Sequence, residues 1–207
     1  MVEEVNSNFL FIISAPSGTG KTTLCRYLLG KHKNLVLSIS ATTRNPRLKE
    51  INGVDYFFLS KNEFEQKIDS NDFLEYAKVS DNYYGTLKSF VERQLNNEKN
   101  VLFDIDFQGM RKIKSQQQFN IVTLFLVPPS IEVLRQRLIG RGDGEEQVEK
   151  RVAGFKNDAE KANEYDFVIV NDDLNKACID VENVYNASKL KFRKNKNLYF
   201  INNVLMK

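Results

Sequence analysis

A three-layer α/β protein, with a doubly wound parallel sheet at its centre, is the architecture expected for this chain of 207 residues. Two patterns lead there. Apolar runs recur at "FLFII" (9–13), "LVLSI" (35–39), "VLFDI" (101–105), "IVTLFLV" (121–127) and "FVIV" (167–170). They are nearly continuous rather than alternating, as parallel strands covered on both faces require. Helix-like segments with recognisable starts and stops lie between them, so strand and helix take turns along the chain.

The elements can be justified in order. The first strand runs into a glycine-rich turn, and a helix is expected from about Gly20 to Leu29, with Gly30 as its stop. Residues 40–88 break the rhythm with "TTRNPR", a turn at "NGVDYFF", a helix at "SKNEFEQKI", then "FLEYAKV" and "NYYGT". Ser60 with Glu63 three residues on forms a capping box for that helix. The stretch is too long for a single crossover helix and predicts an inserted subdomain. Thr86 reads as the N-cap of the helix "LKSFVERQLNNE". Ser130 reads as the N-cap of "IEVLRQRLI", which Gly140 ends. "GRGDGEEQVEKR" is glycine-rich, charged and poor in core residues, and predicts a mobile flap. The expected organisation is a core of 1–39, 89–137 and 156–207, a subdomain of 40–88 and a lid of 138–155. The basic tail "KLKFRKNK" reads as a solvated helix face.

Composition narrows the function classes. With 42% hydrophobic and 28% charged residues the chain is an ordinary soluble globular one, and a net charge of +3 is too small to argue for nucleic acid. No run approaches the roughly 18 apolar residues of a membrane span. The start "MVEEVNSN" is acidic and lacks a signal-peptide pattern. Cys25 and Cys178 form no CxxC, so no disulfide framework is expected and the cytoplasm is the expected compartment. His32, the only histidine, reads as a solvated side chain at a helix end. Chemistry built on Ser/His/Asp, Cys/His or zinc is thereby disfavoured.

The glycine-rich turn carries the strongest chemical signal. Ala15 to Thr22 spell A-P-S-G-T-G-K-T, matching the phosphate-loop pattern G-x-x-x-x-G-K-[ST] except that Ala15 stands at the first glycine. In such a loop, successive backbone N–H groups point inward at an anion, and the following helix adds its positive end. Ala15, Pro16, Ser17, Gly18, Thr19, Gly20, Lys21, Thr22 and Thr23 are therefore the expected contacts of a nucleoside triphosphate. Lys21 reaches the terminal phosphates, and the Thr22 hydroxyl offers a magnesium ligand. Asp104 and Asp106 end a strand two residues apart, and so are expected to face the same way into the crevice at the strand's carboxyl end. A carboxylate there suits magnesium support.

A phosphate loop alone does not separate a switch GTPase, an ATP-driven motor and a kinase. Over nearly its whole length, however, the chain resembles guanylate kinase. The matching landmarks are "APSGTGKTT", "SISATTRNPR", "NGVDYFF", "FLEYAKVSDNYYGT", "LFDIDFQG", "PPSIEVLRQRLIGRG" and "VIVNDD". That resemblance implies magnesium-dependent transfer of the ATP γ-phosphoryl to GMP, and to dGMP, giving ADP and GDP. It assigns the acceptor phosphate to Arg44, Arg47, Tyr56 and Tyr84. It assigns guanine to Ser40, Glu75 and Thr86, with Asp104 or Asp106 near the base or the magnesium. Arg137, Arg141 and Arg151 correspond to arginines that close on the ATP phosphates, and Asn171 to a residue beside the donor adenine. Lys21, Arg44 and those three arginines form the implied catalytic set. The departures are Ala15 and the tail after about Lys189.

The residue types agree with these roles. Two guanidiniums offer paired donors to a phosphate dianion, and two phenols orient it. Alternation in "FLEYAKV" is expected to put Phe73, Glu75 and Ala77 on one face, where a lone carboxylate invites a donor. Guanine offers two adjacent donors, whereas adenine opposes a carboxylate with a ring lone pair. Arg137 and Arg141, four apart, are expected to share a helix side. Guanylate-kinase-like domains also serve as scaffold modules without turnover, and the intact Gly20, Lys21 and Thr22 favour catalysis instead. Small nucleotides, with no nucleic acid or membrane, are the expected partners of a monomer or homodimer.

Overall fold

A computed structural model describes residues 7–79 and 81–205, with side chains as far as Phe192. The main sheet holds β1 (Leu10–Ser14), β2 (Leu35–Leu37), β7 (Asn100–Asp104), β8 (Ile121–Val127) and β9 (Phe167–Val170). These strands are parallel in the order β2-β7-β1-β8-β9. Every residue of the central β1 is buried. Phe9, Phe11 and Ile13 pack on one side with Leu24 and Leu28 of α1 (Lys21–Lys31) and Val181 and Tyr185 of α7 (Leu174–Leu205). Leu10 and Ile12 pack on the other with Phe90 and Leu95 of α3 (Lys88–Asn96) and Met110 and Ile113 of α4 (Phe107–Lys114). The three layers follow from this two-sided burial. The two edge strands depart from it: β9 leaves Phe167, Val168 and Val170 exposed, and β2 leaves Leu37 exposed.

The expected strand at 35–39 stops at Leu37, and a second sheet begins at Ser40. It contains β3 (Ser40–Thr42), β4 (Phe57–Phe58), β5 (Phe73–Val79) and β6 (Asn82–Leu87), in the order β4-β3-β6-β5. α2 (Lys61–Asp69) covers one face, and its capping box is formed in both directions between Ser60 and Glu63. Phe64 of α2 is fully buried, stacked 4.3 Å from Phe73 and 5.2 Å from Tyr83 by ring centroid. The segment 40–88 thus carries its own sheet and small core.

Several local expectations are corrected. Gly30 lies inside α1, which ends at Lys31 with His32 as its C-cap. His32 is not solvated: its ring sits 4.6 Å from that of Tyr185 and 3.5 Å from the Glu182 carboxylate, with 12% of the side chain exposed. Thr86 does not cap α3; the N-cap is Leu87 and has no side-chain bond, because Thr86 is a fully buried strand residue bonded elsewhere. Ser130 does cap α5 (Ile131–Ile139), accepting from the Val133 N–H, and Gly140 ends it. The expected flap is mostly helical: α6 (Glu145–Ala159) buries Val148 and Val152 against Leu134 and Leu138 of α5. Positions 137/138 and 155/156 therefore fall inside helices. In the tail, Phe192 packs 5.4 Å from Phe9, so that face is not wholly solvated; side chains 193–196 lie outside the described residues.

Candidate active site

The loop from Ala15 to Gly20 joins β1 to α1, and its shape comes from backbone conformation. Gly18 and Gly20 adopt φ +92 and +93, the left-handed region that favours glycine. A Cβ on Gly20 would lie 2.6 Å from Asn171 Nδ2, and one on Gly18 would lie 2.9 Å from Leu138 Cδ2. Thr19 folds back on Pro16, whose carbonyl accepts from its hydroxyl at 2.8 Å. Ala15 packs against the core, so the missing first glycine leaves the turn intact. Asn171 is buried and donates to the Thr19 carbonyl at 2.6 Å, and its Oδ1 has no protein partner among the described residues. It supports the loop directly.

Lys21, at the first position of α1, forms an ion pair with Asp104 at the end of the neighbouring β7. Thr22 and Thr23 are exposed on the same turn. These residues, with Pro16, Gly18 and Gly20, line a cleft of roughly 630 Å³ that Arg137, Gly140 and Arg141 close from the other side. Arg137 has a buried Nη1 without a protein partner among the described residues. Arg141 lies beyond the end of α5, so the two arginines reach the cleft from a helix and a turn rather than from one helix side. Arg151 is not among the lining residues; it is held 3.4 Å from Asp143. Asp104 and Asp106 do not both belong to the strand. The strand ends at Asp104, and Asp106 is the N-cap of α4, accepting from the Gly109 N–H at 2.9 Å.

The other half of the site is a row across three strands. Ser40 of β3 pairs with Thr86 of β6, and Thr86 pairs with Glu75 of β5. Thr86 Oγ1 donates to Glu75 Oε1 at 2.8 Å. The expected alternation in β5 is corrected, because the register shifts between Phe73 and Glu75. Leu74 is the extra residue of a β-bulge, which turns Phe73 toward α2 and Glu75 to the opposite face. Burial pushes the Glu75 carboxyl up from its ordinary range, while the Thr86 hydrogen bond and the Lys112 charge pull it down.

Tyr84, two pairs further along β6, lies 6.3 Å from the Tyr56 ring by centroid. Arg44 passes over Tyr56 at 5.4 Å and donates to both oxygens of Glu50 at 2.8 and 2.9 Å. Glu50 also accepts from the Arg47 N–H, leaving the Arg47 side chain exposed. Sequence reasoning missed Glu50 and Asp143 as partners of site arginines. Glu50 follows Arg47 by three residues, a turn-like spacing that was the available signal. Among the described residues no group of three His, Cys, Asp or Glu could hold a metal ion, and no helix is long and apolar enough to cross a membrane.

A family model for guanylate kinase matches residues 7–188. The chain belongs to the guanylate kinase family. The guanylate kinase of Rickettsia felis is 49% identical over 187 residues, covering 90% of this chain and 97% of that protein. That of Clostridium perfringens is 45% identical over 193 residues, covering 92% and 88%. The crystal structure of guanylate kinase from Anaplasma phagocytophilum matches with a TM-score of 0.67 at 28% identity, covering 89% of this chain and 87% of that one. The guanylate kinase match stops at residue 188, beside the tail that carried no resemblance.

Proposed function

We propose that this member of the guanylate kinase family transfers the γ-phosphoryl group of ATP to GMP, and also to dGMP, in the cytoplasm. The loop at 15–23 takes the ATP phosphates, Asn171 lies beside the adenine, and the lid around 138–155 closes Arg137, Arg141 and Arg151 over the donor. The subdomain 40–88 takes the acceptor. Arg44, Arg47, Tyr56 and Tyr84 hold its phosphate, and the Ser40–Thr86–Glu75 row reads its base. That row carries the reading. Thr86 occupies one lone pair of Glu75 Oε1, and the remaining lone pairs accept the ring N1–H and exocyclic amine of guanine.

The reaction needs little proton chemistry, because the acceptor phosphate oxygen is already anionic. A new O–P bond forms to the γ-phosphorus as its bond to the β,γ-bridging oxygen breaks, and ADP leaves. Positioning and charge neutralisation do the rest. Lys21 and the lid arginines stabilise charge on the transferring group, while Arg44 and Arg47 damp repulsion between the two anions. The donor set suits magnesium. Around Thr22 and the end of β7 it consists of oxygen ligands, with too few carboxylates for an all-protein cage. Thr22 and Asp104 or Asp106 would hold the ion, and when bound it supplies neutralisation of the phosphate oxygens. Closure of subdomain and lid excludes water that would hydrolyse ATP.

A coupled assay of ADP formation with GMP, AMP, UMP and TMP in parallel tests this reading. Strong turnover with GMP alone is expected. Firm ATP binding with no turnover on any acceptor would instead assign the chain to the scaffold class.

A further inference from the structure

β5 is the free edge of its sheet, so alternate carbonyls along it point away from β6 and need partners from elsewhere. The outward carbonyls on either side of Glu75 belong to Leu74 and Tyr76. Both are taken by side chains from α4, a helix of the main core, and from the turn that follows it. Gln116, just beyond the end of α4, donates its Nε2–H to the Leu74 carbonyl at 3.0 Å, and the Lys112 ammonium donates to the Tyr76 carbonyl. Lys112 also lies 4.9 Å from the Tyr76 ring centroid. Leu74, the extra residue of the bulge, is buried in the same cluster as Met110 and Ile113 of α4.

A β-bulge disrupts the ladder locally, bends its strand and re-aims a side chain. Here the side chain re-aimed is the half-buried carboxylate of Glu75. From this arrangement we infer that Lys112 and Gln116 are positioning residues for base recognition, pinning the backbone on both sides of Glu75 so that its carboxylate faces the acceptor base. The inference rests on the assignment of Glu75 to guanine. It also gives α4 a second duty. Its N-cap, Asp106, lies two residues from Asp104, the partner of Lys21, so one helix ties the donor loop to the base-reading strand.

The test measures KM and kcat for GMP and for inosine monophosphate, which keeps the ring N1–H but lacks the exocyclic amine. The variants are Lys112→Met, Gln116→Leu, their combination and Lys112→Arg, with Glu75→Gln alongside. For the double variant, KM for GMP is expected to rise about tenfold while kcat changes less than about threefold. KM for ATP should stay at the parental value and the preference for GMP over inosine monophosphate should shrink. Lys112→Arg should restore most of both. Parental KM and preference in the double variant would overturn the inference, as would an equal loss for GMP and ATP. If Glu75→Gln itself spares GMP, the assignment of the base site fails; if it injures GMP while the double variant does not, only the α4 clamp fails.

Discussion

Around the loop proposed for the donor, shape is held by the backbone: two glycines at positive φ, Thr19 folded onto Pro16, and Asn171 bonded to the Thr19 carbonyl. Around the face proposed for the acceptor, shape is held by side chains. Glu50 grips Arg44, Thr86 grips Glu75, and a bulge in an edge strand sets the direction of the carboxylate. The donor loop therefore occupies nine consecutive residues, whereas the acceptor row is assembled only when β3, β5 and β6 align. One site is a local conformation. The other is a tertiary product, and its parts should fail by degrees.

Replacing Lys21 with Met should produce the largest loss, roughly 10²–10³-fold in kcat, since it removes a fixed charge from the transferring group. Its thermal midpoint should stay near the parental one, and near-normal turnover would break the contrast at its donor end. Arg44→Met should raise KM for GMP by about tenfold, because Arg47 remains to share the phosphate; steady-state kinetics at saturating ATP would show this. Gly20→Ala tests the backbone side. A left-handed φ and a 2.6 Å approach to Asn171 predict a loss of about 1–3 kcal/mol in denaturant unfolding. Smallest of all, Ser60→Ala should cost about 1 kcal/mol through the capping box of α2 and leave ATP kinetics unchanged.

The same contrast explains what could be read in advance. Signals contained within a few residues were legible: the phosphate loop, the Ser60–Glu63 box, the Ser130 cap. Signals that depend on a neighbour in space were not. Thr86 looked like a helix cap because its true partner, Glu75, lies across a strand pair. Phe73 and Glu75 looked like one face because a bulge shows only in pairing with β6. The flap hid a helix whose apolar stripe is two valines four residues apart, completed by leucines of α5. His32 looked solvated because Tyr185 and Glu182, which enclose it, lie some 150 residues on along the chain.

Glu75→Gln tests the central claim most directly, read in two ways on one protein. Burial raises the folded pKa of Glu75 above its unfolded value, so the native state holds that proton more tightly. Stability then falls as pH rises from the ordinary glutamate range through the folded pKa. At neutral pH the variant should therefore melt higher than the parent. Its kcat/KM for GMP should meanwhile drop about 100-fold, the loss of one hydrogen bond to a charged group, since glutamine keeps a single carbonyl acceptor, with KM for ATP unchanged. A variant that keeps parental GMP kinetics, or loses GMP and ATP equally, would contradict the account.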